Sequence, residues 1–486
     1  MGRFSWFPVS KGPDLPLRGL TLPQLIREKA IMYGEKPFLH FKGKTITYKE
    51  FDKRTDLIAG GLQDLGVNKG DHVALMFQNG LEIVETYFAI WKTGAWAVPL
   101  NPMLTPREIR YTLKDSDSNW AIVSGDYLEN IMAVREDVPT LRGIVVSGAK
   151  GIMDAIPYEK LIEGNKEVIP VDIRPDDVCQ IMYTSGTEGE PKGVMTTHGG
   201  YTDNAYIKAY ILGYTEKDST IIALPMFHMF AMGSTLLGFI HVGGSAVIME
   251  RFDPGEVLFA MENYRITSFT GVPTMYHYLL NCPDIDKYEL SSLKICVIAG
   301  GNVNYKVVEE FEKRFDCLFI ESMGQTELSS LVMINPPYRE YRRLGSCGLT
   351  AYNMETRLVD ENDEDVPLGE VGELIVRSPC LMKGYYKRPE DTARAFRGGW
   401  HHTGDLLRQD RDGYYYFVDR KKDMIVTGGY NIYAKELENV LLGHPDVVEA
   451  AVIAVDDEVK GQLAKAFIVL RDGSSLTKEG LISYAR

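Results

Sequence analysis

Residues 183–194 read Tyr-Thr-Ser-Gly-Thr-Glu-Gly-Glu-Pro-Lys-Gly-Val, and they constrain the fold of this chain more than any other stretch. The apolar run before them, residues 178–182, has the length of a buried strand. A strand that empties into glycines and hydroxyl residues, closed by Pro191 and Lys192, lets the backbone come close to an anion. The hydroxyls and the backbone N–H groups can donate to phosphate oxygens, and Lys192 adds a positive charge. The stretch is not a Walker A loop. Gly193 follows Lys192 where Ser or Thr is needed, and the glycine spacing differs.

The sequence around the loop alternates. Short β-rich runs at 220–224, 244–249, 266–270, 294–299 and 317–322 are mostly separated by helix-length intervals. Residues 253–264 open with Asp-Pro-Gly-Glu, an N-cap and first-turn signal, and Thr47-Tyr48-Lys49-Glu50 opens another helix. Residues 71–76 and 95–100 read as strands. This rhythm predicts βα units with mostly parallel sheets. From about residue 345 the texture changes to turns and short strands, such as 355–359 and 372–376, which predicts a small β-rich subdomain over about 345–418. A charged connector at 419–422 leads to a helix at 435–442, a strand at 447–455 and a helix at 477–486. The expected fold class is α/β: a large N-terminal domain over 1–419, made of two α/β subdomains plus the β-rich one, then a small α+β C-terminal domain over 420–486.

The length of 486 residues is too great for one core and supports this division. A net charge of -14 argues against a general nucleic-acid or membrane-surface binder. The cysteines at 179, 282, 296, 317, 347 and 380 show no Cys-x-x-Cys pair and no zinc spacing, so they read as core residues of a reduced, cytoplasmic protein. The N-terminus has no apolar signal region, and Trp6 stands where a myristoylation motif needs Ser or Thr. The most hydrophobic stretch, 232–249, is broken by Ser234, His241 and four glycines. A spanning helix needs about 20 mostly apolar residues, so a helix followed by a buried strand accounts for it better. No transmembrane segment and no nucleic-acid partner are expected. The oligomeric state stays open, with a homodimer as one option.

Further motifs follow the loop in order. Met323-Gly324-Gln325-Thr326-Glu327 comes after a strand, and Trp400-His-His-Thr-Gly-Asp405 and Asp419-Arg-Lys-Lys-Asp423 come later. Together, from about residue 47 onward, the chain resembles the adenylate-forming superfamily of acyl-CoA synthetases, peptide-synthetase adenylation domains and luciferases. It looks most like AMP-forming fatty-acyl-CoA ligases. The resemblance implies that a carboxylic acid attacks the α-phosphate of ATP and that CoA then takes the acyl group from the adenylate. Both partners of the first step are anionic, so charge neutralisation and positioning must do most of the work.

The resemblance also implies roles. Thr184, Ser185, Gly186, Thr187, Gly189 and Lys192 would hold the β- and γ-phosphates, and Thr326 the α-phosphate. Glu327 would hold Mg²⁺, a small hard ion suited to one carboxylate plus phosphate oxygens. Asp405 and Arg420 would bind the ribose, while Gly301, Asn302 and Met323 would lie beside adenine. His228 and Phe230, in Pro225-Met-Phe-His-Met-Phe230, would line the acyl pocket with Met232, Gly233, Ser330 and Leu331. Lys422 occupies the hinge position, and Gly428 and Gly429 would leave room for the pantetheine thiol of CoA. No acidic residue occurs between Thr220 and Met249, where amino-acid-activating relatives carry an aspartate, so an amino-acid substrate is not expected.

Three departures from the pattern carry expectations. The sequence ends before the family's C-terminal Gly-Lys segment, so the C-terminal domain reads as truncated, with poor adenylation and retained thioester formation. Glu188 stands where Thr or Ser is usual, and a carboxylate there would repel phosphate by roughly 4 kcal/mol at about 4 Å and an effective dielectric of about 20. It must point away, pair with a cation or weaken nucleotide binding. Met323 replaces an aromatic, and its polarizable sulfur can still pack against adenine. The leading expectation is an acid–CoA ligase for a medium- or long-chain fatty acid. Aryl acids are the runner-up, followed by loading of a carrier protein and by nucleotide sensing without turnover.

Overall fold

The computed structural model describes residues 11–148, 154–164, 166–184, 190–300, 303, 305–427, 430–457 and 460–485. Two large sheets dominate. The first has eight strands, running from Gly384–Tyr385 through Lys192–Thr197, Val178–Thr184, Trp96–Pro99, His72–Met76, Trp120–Ser124 and Gly143–Ser147 to Ile156–Pro157. It is parallel from Val178–Thr184 onward and antiparallel at the other edge.

The second sheet has nine strands. Its parallel centre runs from Leu318–Gln325 through Ile295–Ile298, Ser268–Gly271, Ser219–Ile222 and Ser245–Ile248 to Pro37–Phe41. Antiparallel strands Ser330–Ile334 and Lys44–Thr47 flank it. Helices Leu22–Tyr33, Tyr48–Asp64, Leu81–Lys92 and His198–Leu212 contribute to a core that draws residues from both sheets, among them Val73, Ala97, Ile221 and Phe269. Helices on parallel strands are what βα units require.

Local chemistry explains where the elements start. Thr21, Thr47 and Thr105 each close a capping box with Gln24, Glu50 and Glu108, so two orphan N–H groups are satisfied per helix start. Asp253 caps Pro254–Asn263 through the Glu256 N–H. The apolar stretch 232–249 resolves into a π-helix at Phe230–Leu236, an α-helix at Leu237–Val242 and a strand at Ser245–Ile248. Among the described residues no helix is long and apolar enough to cross a membrane.

Two smaller sheets complete the chain. Glu355–Val359, Val371–Arg377, His401–Gln409 and Tyr415–Arg420 form a four-stranded antiparallel sheet. Beyond it, Ile425–Thr427, Tyr430–Ile432, Val447–Asp457 and Gly461–Leu470 make the second, with helices Ala434–Leu442 and Lys478–Tyr484. Leu441, Val452, Ile425 and Leu481 form a separate core there, as a small α+β unit requires.

Candidate active site

Strands Val178–Thr184 and Lys192–Thr197 form an antiparallel hairpin in which Thr184 and Lys192 are cross-strand partners. This corrects the reading of 183–194 as loop throughout. The ladder extends to both ends of the motif, and Gly193 permits it, because a Cβ there would come within 2.6 Å of Ile181 Cγ2. Ser185, Gly186, Thr187, Glu188 and Gly189 lie outside the described residues.

Gly384–Tyr385 pairs with the return strand, with Tyr385 beside Val194. That register brings four side chains together. The Tyr385 hydroxyl donates to Glu327 Oε1 at 3.0 Å. Lys192 Nζ lies 5.4 Å from the Tyr385 ring centroid and 3.2 Å from Asp391 Oδ2. Asp391 also pairs with Arg394.

Thr326 and Glu327 occupy a 3₁₀ turn that ends the long strand Leu318–Gln325. Burial pushes the Glu327 carboxyl above the usual carboxylate range, opposed by the Tyr385 hydroxyl and the charges of Arg420 and Lys192. The two residues after Leu328 are left-handed: Ser329 at φ 56° and Ser330 at φ 119°. Two successive non-glycine residues with positive φ mark a strained segment. Gly324, opposite it, has its missing Cβ 1.7 Å from the Ser330 carbonyl oxygen, so only glycine allows this close approach.

A second group lies next to the first. Gln325 donates from Nε2 to Asp405 Oδ2 at 2.6 Å and to the Thr403 carbonyl at 3.0 Å. Asp405 and Arg420 are cross-strand partners, with Arg420 Nε 3.8 Å from Asp405 Oδ1. Burial raises the Asp405 carboxyl to about 6, with Arg420 and Gln325 pulling it down. Met323 is half-buried on the same strand. Gly301 and Asn302 lie outside the described residues.

Among the described residues no three His, Cys, Asp or Glu side chains cluster as a closed metal site. Glu327 offers one hard carboxylate beside Lys192. That fits Mg²⁺, which keeps waters and takes one or two carboxylates plus phosphate oxygens.

The acyl-side positions are only partly brought together. His228 is exposed next to Phe227, and Phe230 is half-buried at the start of the π-helix. Met232 is fully buried, and the open side of Gly233 is filled by the Tyr201 ring, 2.0 Å from where a Cβ would sit. Leu331 is buried and bonded through its backbone to Asn204. Met232, Gly233 and Leu331 are therefore packed core positions and do not line open space, the arrangement an apolar stripe adopts when it meets a facing helix. Ser330 is buried in the strained segment. Lys422 is exposed in the turn after Arg420, and Gly428 and Gly429 lie outside the described residues.

Residues 26–386 match the AMP-binding enzyme family, and residues 436–486 match the AMP-binding enzyme C-terminal domain. The chain belongs to the AMP-binding enzyme family. A feruloyl-CoA synthase of Amycolatopsis sp. is 36% identical over 444 residues, covering 91% of this chain and 87% of that protein. A long-chain-fatty-acid–CoA ligase of Escherichia coli O6:H1 is 33% identical over 511 residues, covering 99% and 90%. The crystal structure of the anthranilate CoA ligase AuaEII with anthranoyl-AMP has a TM-score of 0.88 at 29% identity, covering 97% and 90%. The activity is that of an AMP-forming CoA ligase, and the fold of a large α/β domain with a small C-terminal domain is that of these enzymes.

Sequence reading missed Tyr385, Asp391 and Lys208. Tyr385 and Asp391 lie in a stretch read only as turns and short strands, and their distance in sequence from Lys192 hides the contact. Lys208 did leave a signal: it is the one charge in the otherwise apolar and aromatic run 205–212.

Proposed function

We propose that the chain joins the acyl group of a carboxylic acid to CoA through an acyl-adenylate held between the two clusters above. Thr184, Lys192 and the hydroxyl- and glycine-rich residues 185–189 would hold the β- and γ-phosphates. Thr326 would bond the α-phosphate, and Asp405 and Arg420 the ribose, with Gly301, Asn302 and Met323 beside adenine. Glu327 would hold Mg²⁺, which supplies charge neutralisation on the phosphate oxygens. In the first step a carboxylate oxygen bonds to the α-phosphorus while the bond to the bridging oxygen breaks and pyrophosphate leaves. In the second, the CoA thiolate bonds to the acyl carbon and AMP leaves with the electron pair of the broken C–O bond. Lys422 would serve as the hinge between the two, and Gly428 and Gly429 would suit an approach by the thiol.

The observation that carries this reading is the joining of three distant motifs. Tyr385 links Lys192 to Glu327, and Gln325 links the same strand to Asp405. Placing Lys192 and Glu327 in one group and Asp405 and Arg420 in the adjoining one, on either side of residues 325–327, suits a nucleotide polyphosphate with its ion and ribose.

The acid is a medium- or long-chain fatty acid on the pattern of residues 251–275. An aryl acid is the second reading, favoured by the similarity to a feruloyl-CoA synthase. The test supplies CoA with preformed aliphatic and aromatic acyl-adenylates and follows thioester by mass spectrometry. Thioester from one chemical class supports the ligase reading and names the class. Absence of thioester from every adenylate, with AMP still bound, would turn the reading toward carrier loading or nucleotide sensing.

A further inference from the structure

Helix His198–Leu212 carries a lysine into the protein interior. Lys208 is 2% exposed, and its ammonium donates to Ser234 Oγ at 2.8 Å. Nζ also lies 5.1 Å from the centroid of the Phe230 ring. Among the described residues Lys208 has no carboxylate partner: Ser234 supplies its hydrogen bond and Phe230 its aromatic contact. An ammonium has three donors, so this one has capacity left over. A buried charge without a counter-ion costs several kcal/mol, of which one hydroxyl and a ring face offset only part. Burial accordingly draws the ammonium down to about 7.

The location matters as much as the burial. Ser234 and Phe230 lie four residues apart on the π-helix Phe230–Leu236, whose i→i+5 winding sets both on one face. Short π-helical insertions occur frequently at functional sites. Phe230 is one of the residues that the family resemblance sets against the acyl group, and the ammonium lies against its ring. Phe230 and Ser234 both meet Lys208 on one face of this helix, beside the packed Met232 and Gly233.

We propose that Lys208 and Ser234 form a recognition point for an oxygen at the far end of the acid, remote from the reacting carboxyl. The substrate class is then an acid with a distal hydroxyl on an aromatic ring or a second carboxylate. Its oxygen supplies a further acceptor, where the described residues offer Lys208 only Ser234. A plain alkyl chain ending there would leave the ammonium as unpaired as it is without substrate. This inference rests on the acid–CoA ligase reading and narrows its acid to one with a distal oxygen, in place of an unsubstituted fatty acid.

The test measures thioester formation with two matched pairs of acids: 4-hydroxycinnamate against cinnamate, and octanedioate against octanoate. Preference is the ratio of kcat/KM within each pair. The ratio is internal to each protein, so loss of folded enzyme lowers both rates alike and leaves it unmoved. The wild type should favour the oxygen-bearing member of one pair by tenfold or more, and the pair in which it does so separates the hydroxyaryl acid from the diacid. Lys208→Met should bring that ratio to about one or invert it, and Ser234→Ala should lower it less. Equal rates within both pairs in the wild type, or a ratio that Lys208→Met leaves unchanged, would overturn the proposal while leaving the ligase reading intact. Absence of thioester from all four acids and from their preformed adenylates would overturn both.

Discussion

Lys192 Nζ and Asp391 Oδ2 sit 3.2 Å apart, with both side chains largely removed from solvent. The lysine proposed to receive the phosphates is therefore already engaged, and a nucleotide must take it from Asp391. A partly exposed ion pair is worth about 0.2–1 kcal/mol. Asp391→Asn should accordingly tighten ATP binding by about two- to fivefold by calorimetry, whereas Lys192→Ala should weaken it by more than tenfold. Unchanged affinity in Asp391→Asn would mean that the pair does not compete with nucleotide.

The Tyr385 hydroxyl is the side-chain donor that the structure shows on Glu327, and it holds down a carboxyl that burial raises. Removing a hydrogen bond to a charged group costs about 1.5–3 kcal/mol. Tyr385→Phe should therefore lower kcat/KM at neutral pH by about tenfold or more. The acid limb of its pH–rate profile should move to higher pH, since Glu327 would hold its proton longer. A profile that keeps its shape would separate Tyr385 from the Glu327 function.

Asp405 predicts a pH dependence of nucleotide binding. Its carboxyl is raised to about 6, and only the ionised form accepts fully from ribose hydroxyls. AMP affinity should hold above pH 6 and weaken below it, by up to about tenfold per pH unit for one proton. Asp405→Asn should bind weakly at every pH without that slope. Wild-type affinity that stays flat from pH 5 to 8 would remove Asp405 from the binding site.

Glu321 makes a stability prediction. It is buried, accepts from the Tyr305 hydroxyl at 3.1 Å and the Gly345 N–H at 3.0 Å, and has its carboxyl raised to about 7. The unfolded chain releases this proton near the ordinary carboxyl value of 4.5 and the folded chain near 7, so ionisation penalises the folded state. The penalty is absent below 4.5, grows between 4.5 and 7 and is complete above 7. Wild type should lose on the order of 3 kcal/mol relative to Glu321→Gln between pH 4.5 and pH 8. Denaturant titrations that give a pH-independent difference would contradict it.

The sequence carried the local parts of this structure. Capping at Thr47 and Asp253, the βα rhythm and the later β-rich region are written in neighbouring residues and were legible there. The hairpin of Thr184 and Lys192 was not, since glycine-rich turns look alike whether a helix or a returning strand follows. Register decides between them, and register depends on the partner strand. The same limit applies to the site. Thr326, Glu327, Asp405 and Arg420 stand out by their motifs, while Tyr385, Asp391 and Lys208 gain meaning only through contacts made by the folded chain. Met232, Gly233 and Leu331 show the reverse error, because an apolar run has one appearance whether it lines a pocket or fills a core.

The central claim is that the acid and ATP meet as an acyl-adenylate before CoA reacts. We would supply an accepted acid labelled with ¹⁸O in its carboxyl group, together with ATP, Mg²⁺ and CoA, and weigh the products. AMP should carry one labelled oxygen, since the attacking carboxylate oxygen stays on the α-phosphorus when the thioester forms. Unlabelled AMP, or ADP with the label in inorganic phosphate, would contradict it.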